Sequence, residues 1–221
     1  MQDQARAEDR VVLRVRGSAS VEVAPDFAEL HVRVTAEHPS DRSAALSASA
    51  AAADALRSAV DGLAPQGTVG VEVHLSSVSV RPLRRREGDG WVDAGFIATV
   101  AGCVRCGADD AGVVAGVVAA SGVELNWVRW TLDADNPVHR HVRGLAVAEA
   151  ERAAVDYAEA LIRPVDGLTL VELADPGAGT SDRPMFARAA GDPGGAGANH
   201  ELSLDPTPVK VAADVNAVYL A

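Results

Sequence analysis

Residues 11 to 24, "VVLRVRGSASVEVA", alternate strictly: Val11, Leu13, Val15, Ala19, Val21 and Val23 fall on one face, and Arg14, Arg16, Ser18, Ser20 and Glu22 on the other. A period of two is that of a strand with one face against a core. Pro25 and Asp26 interrupt it, because proline has no N–H to donate and aspartate favours turns. "FAELHVRVTA" then resumes with Ala28, Leu30, Val32 and Val34 inward. Two antiparallel strands are predicted.

After Pro39 and Ser40, a stop followed by a candidate N-cap, the period changes to that of a helix over "SDRSAALSASAAAADALRSAVDGL". Leu46, Ala53 and Val60 recur every seven residues there, with Leu56 and Leu63 beside them. "VGVEVHLSSVSVRP" alternates again but changes phase, which predicts a bulge near Ser76 and Ser77. "RRREGDG" reads as a hairpin tip and "WVDAGFIATVAGCVRC" as the returning strand. A short valine-rich helix is expected from about Asp109 to Ala120, then the strand "VELNWVRWTLD". A long helix starts at Pro137 and is ended by Pro164, with Val138, Val142, Leu145, Ala146, Ala150, Ala153, Tyr157 and Leu161 on its apolar face. "LTLVEL" and "PVKVAADVNAVYLA" are the remaining strands; in the latter Val209, Val211, Ala213, Val215 and Ala217 share a face.

The expected order is β-β-α-β-β-α-β-α-β-β. Strands joined mostly by hairpins, with fewer helices, give an α+β class of antiparallel sheets with helices packed on one face. The inner strand-helix-strand-strand-helix-strand run is the split β-α-β (ferredoxin-like) pattern, which leaves a second, smaller α/β lobe. Residues 1–10 read as a disordered tail and 11–221 as one domain of two intertwined lobes. Residues 176–200, rich in proline and glycine and without periodicity, read as a mobile loop.

"VRGSASVEVAPDFAEL" resembles the opening of the SIMPL-domain family: a glycine, an alternating strand, Pro-Asp and a second strand. "SVSVRP" with "AGFIATVAGCV" is similar to its next hairpin, although Gly95-Phe96-Ile97-Ala98 stands where the family often has Gly-Tyr-x-Ala. "LAVAEAERAAVDYAEAL" followed by "GLTLVEL", which carries Glu172, is similar to its long helix and following strand, and "PVKVAADVNAVYL" to its last strand. The resemblance covers about residues 11 to 221. It implies an α+β fold found chiefly in bacteria, often exported, ring-like oligomers in some members, and an association with oxidative-stress or DNA-damage responses. It supplies no catalytic residue set.

Composition narrows the partners. The net charge is −11, a field that repels nucleic-acid phosphates and anionic lipid, so no nucleic-acid partner is expected. The one basic cluster, Arg81 with Arg84, Arg85 and Arg86, is followed by Glu87 and Asp89 and reads as a solvated tip. No segment approaches the ~20 apolar residues of a membrane span. "MQDQARAEDR" has no apolar leader core, so the chain as written reads as cytoplasmic; a trimmed mature form would be periplasmic or extracellular.

The candidate chemistry is thin. Cys103 and Cys106 form a Cys-x-x-Cys spacing. If a strand runs through both, their side chains leave opposite faces about 10 Å apart along the strand, and a disulfide needs Cα atoms within about 7 Å. His139 and His141, two apart, could share an ion only if the helix began after them. His31 and His74 fall on polar strand faces, and His38 and His200 in turns or loops. Asp26 is explained by its turn, and "GDPGGAGAN" lacks the Lys-Ser/Thr of a phosphate loop. Trp127 and Trp130 read as core residues, with one of them at a subunit contact as the alternative. No catalytic, cofactor-binding or metal residues are assigned, and no cofactor. The expectation is a non-enzymatic protein acting through self-assembly as a homo-oligomer or through an unidentified protein partner. Two alternatives stand beside it: a thiol-redox or metal-dependent stress protein using Cys103 and Cys106, and a small-molecule binding module.

Overall fold

The computed structural model describes residues 11–63, 70–176, 179–180 and 204–221. In chain order they form β1 (Val12–Val23), β2 (Phe27–His38), α1 (Arg42–Asp61), β3 (Glu72–Glu87), β4 (Gly90–Gly107), α2 (Ala111–Ala120), β5 (Glu124–Thr131), α3 (Val138–Ala160), β6 (Thr169–Ala174), β7 (Gly179–Thr180) and β8 (Val209–Leu220). This is the expected α+β order with one addition, the two-residue β7, which pairs with β8. The tail at 1–10 and nearly all of the loop expected at 176–200 lie outside the described residues.

The chain forms two compact units. The one built from β2, α1, β3, β4, α2 and β5 has the sheet order β3-β4-β2-β5, all neighbours antiparallel, which is the split β-α-β pattern. Even-numbered residues of β2 and β4 face the helices. Leu30, Val32 and Val104 meet Leu56 and Val60 of α1 and Val114 and Val118 of α2 in one hydrophobic core. The bulge falls where the phase change puts it, between Leu75 and Ser77.

Two details of α1 differ from the sequence reading. Its N-cap is Asp41, one residue after Ser40, because the carboxylate accepts from both the Ser43 and Ala44 N–H groups. The buried stripe is Ala45, Ser49, Ala53, Leu56 and Val60, while Leu46 is exposed. Small residues let the helix lie close to the sheet. Ser49 tolerates full burial because its hydroxyl donates to the Leu46 carbonyl at 2.8 Å.

β2 ends opposite Phe96, so the β3–β4 hairpin runs on beyond it, from Pro82 to Gly95, as a two-stranded arm with Gly88 in its turn. Gly95 marks where the arm leaves the sheet: its φ is +110°, and an added Cβ would lie 2.2 Å from the His38 carbonyl oxygen. Trp91 on the arm is 71% exposed.

The other unit has the sheet order β1-β8-β6. β1 and β8 pair antiparallel without a break from Val12↔Leu220 to Val23↔Val209, and α3 packs across these two strands. The expected apolar face of α3 needs correction. Val138, Val142, Ala146, Ala150, Ala154 and Ala158 are buried, whereas Leu145, Tyr157 and Leu161 are 42%, 59% and 51% exposed. The reason is Gly17 on β1: a Cβ there would lie 2.0 Å from the Ala146 carbonyl oxygen and 2.9 Å from the Ala150 methyl. Backbone-to-backbone contact of this kind selects the every-fourth-residue alanine row over the larger side chains beside it. After α3, Arg163 N–H closes onto the Ala158 carbonyl, with Ile162 at φ 56° and 93% exposed just before Pro164.

Because α3 lies over β1 and β8, it leaves β6 uncovered. All six residues of β6 are exposed, Leu170, Val171 and Leu173 at 45%, 58% and 48%.

Candidate functional site

The helix-free face of the four-stranded sheet collects the chain's most chemically varied side chains, because the odd-numbered residues of β2 and β4 point there together with Trp127 and Arg129 of β5. Strand register aligns them in two rows. Glu72, Arg105, Glu29 and Arg129 lie side by side across β3, β4, β2 and β5; His74, Cys103, His31 and Trp127 form the next row. Cross-strand neighbours in such rows have Cβ atoms about 5 Å apart, so they interact.

The groups are largely engaged with one another. Arg129 donates from Nε at 2.9 Å and from Nη2 at 2.5 Å to the Glu29 carboxylate. The Arg105 guanidinium sits 3.8 Å from the centre of the Phe27 ring, a cation–π contact. The His31 and Trp127 rings stack, 3.4 Å between centroids and 10° between planes. His31 Nε2 is buried with no hydrogen-bond partner among the described residues, and its nearest carboxylate oxygen, Glu29 Oε2, is 3.9 Å away. Burial lowers the His31 pKa below the usual histidine value; Glu29 opposes this and Arg129 reinforces it. The ring is therefore neutral at pH 7.

β4 runs through both cysteines, and they are on opposite faces as strand geometry requires. Cys106 is fully buried toward the helices, its thiol within 3.9 Å of the Ala28 carbonyl, and burial, with a smaller contribution from Asp110, pushes its pKa up to about 12. Cys103, half-buried on the helix-free face, is also raised, by burial first and Glu29 second. Neither thiol is poised as a thiolate, and in this geometry the pair cannot close a disulfide.

The remaining sequence candidates are dispersed. His139 and His141 both lie on α3, which begins at Val138, so they point apart; His139 Nε2 is 3.1 Å from the Asp133 carbonyl. Asp26 sits in the turn after β1, its N–H donating to the Thr131 carbonyl and its own carbonyl accepting from Ala108. Trp130 packs against the core, but Trp127, three positions earlier on the same strand, leaves the opposite face. The register shift beyond His31, which leaves Asn126 unpaired with β2, then returns Leu125 to the core side. Arg84 pairs with Asp93 and Arg85 with Glu37. The glycine run at 191–199 lies outside the described residues. Among the described residues no three His, Cys, Asp or Glu side chains are grouped closely enough to hold a metal ion, and no helix is long and apolar enough to cross a membrane.

Sequence reasoning missed the His31–Trp127 stack and the Glu29–Arg129 pair. The sequence places His31 on a polar strand face, which parity shares with Glu29, but their partners on β5 depend on a register that only the folded sheet fixes. On the helix-free face of the other unit's sheet, Arg14, Arg16, Glu172, Ala174, Asn216 and Val218 line a shallow open groove.

No curated protein matches the chain at a significant level. A family model does, over residues 13–219: SIMPL, described as a protein of unknown function. With nearly its whole length matched, this chain belongs to the SIMPL family.

Proposed function

We propose that this protein is a non-enzymatic domain that works by self-assembly into a homo-oligomer. The observation that carries the reading is apolar surface left open on regular elements: β6 is exposed along its whole length, with Leu170, Val171 and Leu173 in the open, and Trp91 stands out on the arm. An edge strand with exposed apolar side chains pairs readily with another chain, and contiguous apolar surface on a folded domain marks a contact site. The helix-free sheet face supports the non-enzymatic half of the proposal. On it Arg129 and Arg105 are committed to Glu29 and Phe27, the His31 imidazole is neutral and the Cys103 thiol protonated, so these groups satisfy one another rather than converge on a substrate. The stress-related role implied by the family resemblance would be exercised through such contacts. The test is native mass spectrometry of the full chain with sedimentation velocity over a hundredfold concentration range. Masses at multiples of the 22.7 kDa chain are expected; a monomer at every concentration overturns the proposal.

A further inference from the structure

Two exposed surfaces of the chain are complementary in charge, and both carry apolar side chains. On the arm, Arg86 and Trp91 are directly opposite each other on β3 and β4, both exposed, on the side of the sheet that carries the helices. Residues 81–93 hold four arginines against three carboxylates, a net +1 in a chain of −11, so the remainder carries −12. On β6, Leu170 pairs with Tyr219 and Leu173 with Ala217, residues buried on the α3 side, so these two exposed leucines also face that side. Glu151 of α3 is exposed and acts electrostatically on Tyr219, the strand partner of Leu170. The surroundings are acidic: residues 156–175 hold five carboxylates against one arginine. Among the described residues nothing pairs with the outer edge of β6, nor with either side of the arm beyond His38, where β2 has ended.

Resting on the self-assembly reading, we propose that the arm of one copy docks along β6 of a second copy, Trp91 covering Leu170 and Leu173 and Arg86 meeting Glu151. Trp and Arg are the residue types that most often dominate an interface, and here each faces its chemical complement. The contact joins two different surfaces, so each copy offers both an arm and a β6 to other copies.

The test uses the full chain and charge reversal at exposed positions, with circular dichroism showing that each variant is folded. Arg86→Glu and Glu151→Arg are each expected to weaken association at least ~tenfold, and the double variant to restore it. An equimolar mixture of the two single variants is expected to assemble as well, because both contacts become complementary again when the copies alternate. Trp91→Ala should dissociate the assembly without rescue by either charge change. If the wild type is monomeric, the self-assembly reading itself fails. If the wild type assembles and the three single variants assemble as tightly, or if the double variant stays dissociated, this docking is overturned while self-assembly stands.

Discussion

Cys103 and Cys106 show how three positions along a strand separate two identical groups chemically. Strand parity sends Cys106 to the helix side, where burial holds its pKa at about 12, and Cys103 to the half-open face. With a thiol-reactive disulfide reagent at pH 8, the native protein is expected to titrate one cysteine, abolished by Cys103→Ser, and the unfolded protein two. Two fast-reacting thiols, or none because of a bond between them, would contradict the strand geometry. His31 gives a second residue-level expectation. Its folded pKa lies below its unfolded value of about 6.5, so in the interval between them the unfolded chain binds more protons. The stability His31 contributes as a neutral ring is therefore complete above about pH 6.5 and is lost as pH falls toward the folded pKa. Urea unfolding from pH 7.5 to 5 should show a steeper loss in the wild type than in His31→Gln; parallel curves would mean that the buried Nε2 costs nothing to protonate. Both cysteines and His31 were legible as strand residues on given faces. Their chemistry was not, because it depends on burial and, for His31 and Cys103, on neighbours such as Trp127 and Arg129 that only strand pairing brings close.

At the scale of elements, Gly17 decides how α3 is seated. Sequence periodicity offers two faces of α3, one carrying Leu145, Tyr157 and Leu161 and one purely of small residues after Val142, and hydrophobicity alone favours the larger side chains. The close approach at Gly17 reverses that choice. Gly17→Ala forces the new methyl against the Ala146 carbonyl and is expected to lower unfolding free energy by about 3 kcal/mol; Leu145→Ala, on the exposed flank, should change it by less than about 0.5 kcal/mol. Denaturant midpoints of the two variants decide the matter, and equal effects would show that the larger face is the one buried. In α1 a similar small-residue row displaces Leu46 from the core.

Across the whole molecule, the first and last described strands are neighbours in one sheet. β1 and β8 hydrogen-bond along their full lengths, while residues 25–132, between β1 and α3, supply every strand and helix described for the other unit. The fragment 25–132 is therefore expected to fold alone, with dispersed amide signals by NMR, whereas removal of 209–221 should leave β1 without its ladder partner and unfold the unit built on β1 and β8. A fragment 25–132 that stays unfolded would show that its core depends on more than the six elements named, Leu204 being the first suspect because it packs against that core.

What the sequence determined by itself was local: the period of each segment, the breaks at Pro25, Pro39 and Pro164, the bulge after Leu75, and through four short motifs the family. Those signals are written in neighbouring residues, where backbone geometry and solvent alone select strand, helix or turn. Tertiary structure decided everything that joins distant positions: that His31 stacks on Trp127, that α3 turns its alanines to Gly17, and that β6 and Trp91 remain open to solvent. These depend on register and on the distance between helix and sheet, which arise only when separate segments compete for the same core.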